Sequence, residues 1–381
     1  MKLLFLIENN EPHSTGGGYY AIFKFAEFLA KRGHDILIYA VHDYQWIIEK
    51  PNLRIYYRPS VYHKNRVMRK FDKLLDYGCD RILLTKLIDE FSPDWIFGVL
   101  KESAIKAVQL GKQFNIRVAN FIYECPNWLR TIYGQELYDQ QNKGYTRKLW
   151  EMTRVAYLES DILFPNSTLS KIFNQDWLGI ETINAPIYPG IDPLQMAFEQ
   201  PDYSDKNKSV LYVGRLAKEK NVHHLIEAWK LMPKDISLHI VGDGPEKRRL
   251  QEQSIHLPHV TFHGFVSDEQ LWTLFKSSKM LVCPSNFEGF GMPPMQSLYF
   301  GKPCLVSDIP IFHSIYGNYV DYYEVGNIDQ LVSGVQKILN NEAYMEEKGQ
   351  AGRLYILENF TWELAAENIE TSLLKFNSLI K

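Results

Sequence analysis

Residues 284–310, PSNFEGFGMPPMQSLYFGKPCLVSDIP, restrict the chain to few folds. A short apolar run at 279–283 (KMLVC) leads into this stretch, and a second at 303–307 (PCLVS) ends it. Between them lie a glycine-rich turn at 288–292 and a segment that opens on Pro293 and stops at Gly301. Proline's preset φ suits a first helical turn, and glycine suits the position just past a helix end. The pattern is strand, glycine turn, short helix, strand. A helix N-terminus presents unpaired N–H groups and the positive end of the peptide dipoles, which suits a phosphate. Pro293 and Pro294 remove two of those donors, so the glycine turn has to supply most of them. Glu288 stands at the mouth of the turn, and Gln296 follows eight residues later in the first turns of the helix.

The same alternation runs through the rest of the chain. Apolar runs at 3–7, 35–40, 94–99, 117–123 and 162–165 read as strands, and helical periodicity marks 19–31, 102–114 and 168–174. A second series starts near residue 208, with strands at 209–213, 237–241, 260–262, 280–283 and 305–307. Helices are expected between them at 222–232, 246–254, 268–276 and 293–300. Such β–α alternation calls for parallel sheets covered by helices on both faces. With 381 residues, two doubly wound units in tandem are expected, meeting near 185–209, where Pro, Asp and Gly accumulate. The default ligand site of such a pair is the cleft between them.

Composition excludes other classes. Apolar residues make up 45% and aromatics 14%, enough for packed cores. A net charge of −3 gives no basic footprint for nucleic acid. The four cysteines, Cys79, Cys125, Cys283 and Cys304, have no zinc or redox spacing, so reduced structural thiols in a cytoplasmic protein are expected. The apolar run after Lys2 meets Glu8 too soon for a secretion signal, and no stretch of the chain is apolar for the length of a bilayer.

The runs E-G-F-G-M-P-P and F-G-K-P-C-L-V-S-D resemble the signature of retaining, sugar-nucleotide-dependent glycosyltransferases of family 4, with the GT-B fold. The signature pairs two Glu residues eight positions apart; here the first is Glu288 and the second place holds Gln296. The resemblance implies two Rossmann-like domains facing a cleft. Residues 1–190 would form the acceptor side, 191–360 the nucleotide-sugar domain, and 361–381 a helix returning to the first domain. Pro165-Asn-Ser167 and Tyr188-Pro-Gly-Ile-Asp192 match the family's junction landmarks.

Several constellations carry candidate chemistry. Gly214, Arg215 and Lys220 follow the first strand of the second unit, matching the family's G-R-x-x-x-x-K-G with Asn221 in place of the final Gly. Two cations there suit a diphosphate leaving group whose charge grows in the transition state. Gly242 and Gly244 permit a tight turn against a nucleotide. The resemblance places Phe265 and Val266 where backbone contacts a nucleobase; as side chains, both read equally as core at a strand end. It also places Phe290, Gly291 and Met292 where backbone amides hold sugar and phosphate. Glu288 is expected to accept hydrogen bonds from donor-sugar hydroxyls. Gln296 stands where the family's Glu holds the ribose, and a carboxamide lacks the charge-assisted bond.

In the first unit, Gly16, Gly17 and Gly18 with Ala21 match G-x-G-x-x-A, a weak dinucleotide fingerprint that sits too far past the strand end. A loop whose amides face a ligand is the alternative, and the resemblance puts it near the donor phosphates or the acceptor. Tyr123-Glu124 occupy the place of a family His-Asp pair, with a catalytic, an orienting and a structural role all open. The helix-like 61–75 segment is basic and amphipathic; it suits either peripheral contact with an anionic membrane at the cytoplasmic face or ordinary core packing.

The resemblance implies transfer of a sugar, with retention, from a nucleoside-diphosphate sugar to a glycan or lipid-linked glycan acceptor. UDP-glucose is the donor expected from frequency alone, and no metal or other cofactor is implied. The rival readings are a glycan- or nucleotide-binding protein on the same fold, an inverting GT-B transferase, and a nicotinamide-dependent oxidoreductase.

Overall fold

The computed structural model describes residues 1–7, 17–42, 47–59, 68–181, 183–194, 196–204 and 208–379. The chain divides into two compact units, 1–188 with 365–381, and 189–364.

The first unit is built on seven strands: β1 (Lys2–Ile7), β2 (Asp35–His42), β3 (Ile47–Lys50), β4 (Leu53–Pro59), β5 (Trp95–Val99), β6 (Arg117–Ile122) and β7 (Ile162–Pro165). Their order is β3-β4-β2-β1-β5-β6-β7. Every pairing is parallel except β3 with β4. Strands β3 and β4 escape a periodicity search because both are partly polar and β3 has only four residues. The central strands are fully buried, as their continuous apolar sequences require. One face carries a row of phenylalanines: Phe5 on Phe97 at 4.4 Å, Phe97 on Phe121 at 5.9 Å, and Phe121 on Phe164 at 5.5 Å. Phe5 and Phe97 are direct cross-strand partners, as are Phe121 and Phe164. Each such ring pair contributes roughly 0.5–1.5 kcal/mol beyond its buried area.

From Ala365 onward, the C-terminal helix Trp362–Leu379 belongs to this first unit. Glu370 accepts from Arg32 at 2.6 and 2.9 Å and meets His34 at 2.9 Å. Phe376 packs edge-on against Trp95 at 5.4 Å, and Arg117 donates to Asn377.

The second unit carries six parallel strands: β8 (Lys208–Val213), β9 (Ile236–Val241), β10 (Val260–Gly264), β11 (Met280–Cys283), β12 (Cys304–Ser307) and β13 (Asp321–Tyr323). Their order is β10-β9-β8-β11-β12-β13. Its core joins Val210, Tyr212, Leu238, Ile240, Met280 and Val282 from the strands with Leu225, Trp229, Leu331 and Val335 from the helices. Strand β13 and the helices Ile328–Leu339 and Glu342–Asn359 lie beyond the stretches that periodicity marked.

The basic segment 61–75 lies largely outside the described residues: nothing is described before Met68, where a helix runs on to Phe91, and its first side chains are not described. No helix among the described residues is long and apolar enough to cross a membrane. Cys125, Cys283 and Cys304 are buried free thiols.

Candidate functional site

In the second unit the strand order reverses between β8 and β11, which are direct neighbours. In open parallel sheets, ligands bind outside the carboxyl ends of the strands at such a reversal. The loops leaving β8 and β11 at that end are 214–221 and 284–291, the two stretches that sequence chemistry singles out.

Lys220 Nζ lies 2.7 Å from Glu288 Oε1, and both side chains are largely buried, at 19% and 13% exposure. Burial works against the Lys220 charge, but the adjoining Glu288 carboxylate outweighs it and raises the ammonium's pKa. Ser285, itself fully buried, donates to the same Oε1 at 2.8 Å. Glu288 Oε2 has no partner among the described residues, so one carboxylate oxygen is anchored and the other remains an acceptor. The Cys283 thiol sits 3.9 Å from Oε1. Burial, then the nearby carboxylate, pushes its pKa up to about 12, so it is no nucleophile.

The helix Met292–Tyr299 opens on Gly291, whose φ of 89° is left-handed. A Cβ there would stand 2.6 Å from Phe312 Cε1, so this position needs glycine on both counts. Tyr316 donates to the Gly291 carbonyl and fixes the turn. The amides of Gly289, Gly291 and Met292 have no acceptor among the described residues, and prolines follow at 293 and 294. The turn therefore holds free donors beside a positive helix end, as the spacing predicts. Phe290 is buried, edge-on to Tyr316 and Phe360, so only its backbone is offered to a ligand. Gln296 is half-buried, and its carboxamide has no partner among the described residues.

The loops after β8, β9 and β10 are tied together by backbone bonds. Gly214 N donates to Val241 O at 3.0 Å, Gly242 N to Gly264 O at 2.8 Å, and Leu216 N to Asp243 O at 2.9 Å. A Cβ on Gly242 would stand 2.0 Å from Gly214 O. Gly244 is similarly close to Leu216 O, at 2.5 Å. These glycines are required for loop-on-loop contact, whatever they do to a nucleotide.

The structure bears on three further expectations. Phe265 is not core: its side chain is 80% exposed just past β10, while Val266 is half-buried. An exposed ring there gives up core burial and leaves a flat apolar face in water. Arg215 is 66% exposed and pairs with Glu219 at 2.7 Å. Gly17 and Gly18 are the first turn of the helix Gly17–Lys31 and no free loop; Gly16 lies outside the described residues.

In the first unit, the strand order reverses between β1 and β5. Gly18 packs on Tyr123, where a Cβ would stand 3.1 Å from Cε2. Tyr123 follows β6; burial raises its phenol pKa well above the ordinary range, and its hydroxyl makes no hydrogen bond with a described residue. Glu124 is engaged, pairing with Lys101 at 2.8 Å, and Lys101 lies 4.1 Å above the Trp150 ring. Leu100, between β5 and the helix Lys101–Phe114, has φ 73° and ψ −176°, a region that side chains other than glycine rarely occupy. The sequence does not mark Asn286 and Lys101, because their partners are distant along the chain, nor Ser285 and Leu100, whose roles rest on the local loop conformation.

Two parallel-sheet units, one carrying a carboxylate, an ammonium and free turn amides at its strand reversal, define a GT-B protein. Residues 196–355 match the family Glycosyl transferases group 1. An uncharacterized glycosyltransferase of Methanocaldococcus jannaschii is 29% identical over 205 residues, 48% of this chain and 51% of that protein. The O-antigen chain mannosyltransferase RfbU of Salmonella typhimurium is 32% identical over 150 residues, 36% of this chain and 42% of that one. The matches thus span about half the length of these relatives. Among solved structures, sucrose-phosphate synthase from Thermosynechococcus elongatus superposes with a TM-score of 0.82 at 18% identity, covering 100% of both chains. HepE of Anabaena, solved in complex with UDP and glucose, superposes at 0.73 with 16% identity, covering 98% of this chain and 100% of that one. At these identities the likeness concerns the fold.

Proposed function

We propose that the protein transfers a sugar, with retention at the anomeric carbon, from a nucleoside-diphosphate sugar to a glycan or lipid-linked glycan acceptor in polysaccharide biosynthesis. The observation that carries this reading is the Lys220–Glu288 pair beside the unpartnered amides of Gly289, Gly291 and Met292. A nucleoside diphosphate needs cationic and amide donors for its oxygens, and a sugar needs a carboxylate acceptor for its hydroxyls. The site holds both within one turn. Glu288 Oε2 takes the sugar hydroxyls, and Lys220 with the turn amides meets the negative charge that grows as the diphosphate leaves. Gln296 accepts one ribose hydroxyl, and the Phe265 stretch borders the base.

With an ammonium and amides on the diphosphate, the reaction requires no metal. Retention follows from the acceptor hydroxyl attacking on the leaving-group side, with a diphosphate oxygen taking its proton. The acceptor belongs to the first unit's reversal, where the Tyr123 hydroxyl is unengaged.

UDP-glucose is the first donor to test, and HepE is named as a UDP-glucose complex. Relatives named as mannosyltransferases favour a mannosyl donor as the second reading. Calorimetric titration with UDP-glucose and GDP-mannose separates the two, and NMR of the product assigns the anomer. A chain that binds neither donor, nor UDP nor GDP, is not the transferase proposed.

A further inference from the structure

Residue 221 sits in the left-handed region, at φ 48° and ψ 33°, between the short 3-10 turn Lys218–Lys220 and the helix Val222–Leu231. Glycine is the easiest residue for that conformation, and asparagine is the commonest alternative. Here the asparagine does more than tolerate the turn. Its side chain is buried, at 4% exposure, and its carboxamide donates to the Pro284 carbonyl at 3.2 Å and to Asn286 Oδ1. In return, the Asn286 amide donates to the Glu219 carbonyl at 2.9 Å. Three hydrogen bonds therefore join the loop that carries Lys220 to the loop that carries Glu288. Neither loop has regular structure of its own there: one is a single 3-10 turn and the other is irregular.

The geometry points to Asn221 as a positioning residue: its carboxamide sets the separation of Lys220 and Glu288, and with it the placement of leaving group against sugar. This inference rests on the transfer reaction proposed above. The physical reason is reach. Lys220 hangs on a flexible four-carbon stem, and its ammonium is only as well placed as its backbone. The residue directly after it is bonded to the β11 loop at 284 and 286, four and two residues before Glu288. A glycine at 221 would accept the same φ and ψ and lack the carboxamide. Misplacement of about 1 Å at a reacting centre costs on the order of a hundredfold in rate.

The test compares wild type, Asn221→Gly and Asn221→Asp. Glycine keeps the left-handed turn and removes the side chain. Aspartate keeps the size and replaces the amide donor with a carboxylate that faces two oxygen acceptors. Nucleoside diphosphate release from UDP-glucose and GDP-mannose is followed alongside donor affinity by calorimetry and folding by thermal melting. We expect both variants to bind donor within about threefold of wild type and to lose roughly ten- to a hundredfold in kcat at temperatures where they are fully folded. A kcat equal to wild type in folded Asn221→Gly overturns the positioning role while leaving the transfer reaction intact. A loss of melting temperature with unchanged kcat also overturns it, because the asparagine would then be structural only. Wild type that neither binds nor turns over either donor overturns the transfer reaction, and the role of Asn221 with it.

Discussion

Lys220 Nζ and Glu288 Oε1 are 2.7 Å apart, from loops that follow adjacent parallel strands and lie 68 positions apart in the sequence. The pair is largely buried, so each charge makes the other tolerable. Removing one partner alone leaves an uncompensated, largely buried charge.

Glu288→Gln keeps the shape of the side chain and removes its charge. Donor turnover is expected to fall about a hundredfold or more, with the protein still folded. Lys220→Met alone strands the carboxylate and is expected to cost about 3–5 kcal/mol of stability. Adding Glu288→Gln to it restores part of that loss. Denaturant unfolding of the four-member cycle measures the coupling; additive effects would show that the two groups do not interact in solution.

Gln296→Glu places a charge where the carboxamide now has no partner. A ribose hydroxyl donating to a carboxylate forms a bond roughly twice as strong as to an amide. UDP or GDP affinity is expected to rise about three- to tenfold. Calorimetric titration showing unchanged or weaker binding would remove Gln296 from the ribose position.

Gly291→Ala puts a Cβ into a backbone of φ 89° and within 2.6 Å of Phe312. The cost is expected to be about 1–3 kcal/mol in stability. Nucleoside diphosphate affinity should drop as well, because the turn amides move. Melting and calorimetry on the same sample read both effects, and a variant with wild-type values in both would show the turn to be compliant.

Acid should weaken the first unit at its C-terminal helix. Burial raises the Glu370 carboxyl, but Arg32 and His34 outweigh it and hold the pKa below its ordinary 4.5. A depressed carboxylate contributes fully above the ordinary value and loses that contribution as pH falls through and below it. Burial also lowers His34 from its ordinary 6.5, so protonating it disfavours the folded state as pH falls below that value. Stability is thus expected to decline in two stages on acidification, first from about pH 6.5 and then below about pH 4.5. Glu370→Gln is expected to lose about 1–2 kcal/mol at pH 7 and to approach wild type in the lower range. Unfolding curves from pH 7.5 to 3.5 check this, and a gap that is constant with pH would exclude the carboxylate as its source.

Local chemistry made much of the second unit legible from the sequence alone. Buried strands β8, β9 and β11 are short, mainly apolar runs ended by glycine or proline, and β12 is one that follows Pro303. The turn at 288–292 announces its free amides, because proline and glycine act on the backbone of their own segment. Glu288 and Lys220 were recognisable for the same reason, each standing at a strand end beside turn residues. What the sequence left undetermined is what a side chain meets across the sheet. Arg215 and Lys220 look alike in the chain, yet one turns to Glu219 and the other to Glu288. Phe265 looks like core and lies open. Glu124 leaves several roles open in the chain and is held by Lys101. Asn221 looks like a departure from glycine and proves to be a cross-link. Periodicity and turn propensity are properties of neighbours along the chain. Partner choice among charged and amide groups depends on which loops the parallel sheet brings together, and only the tertiary structure decides that.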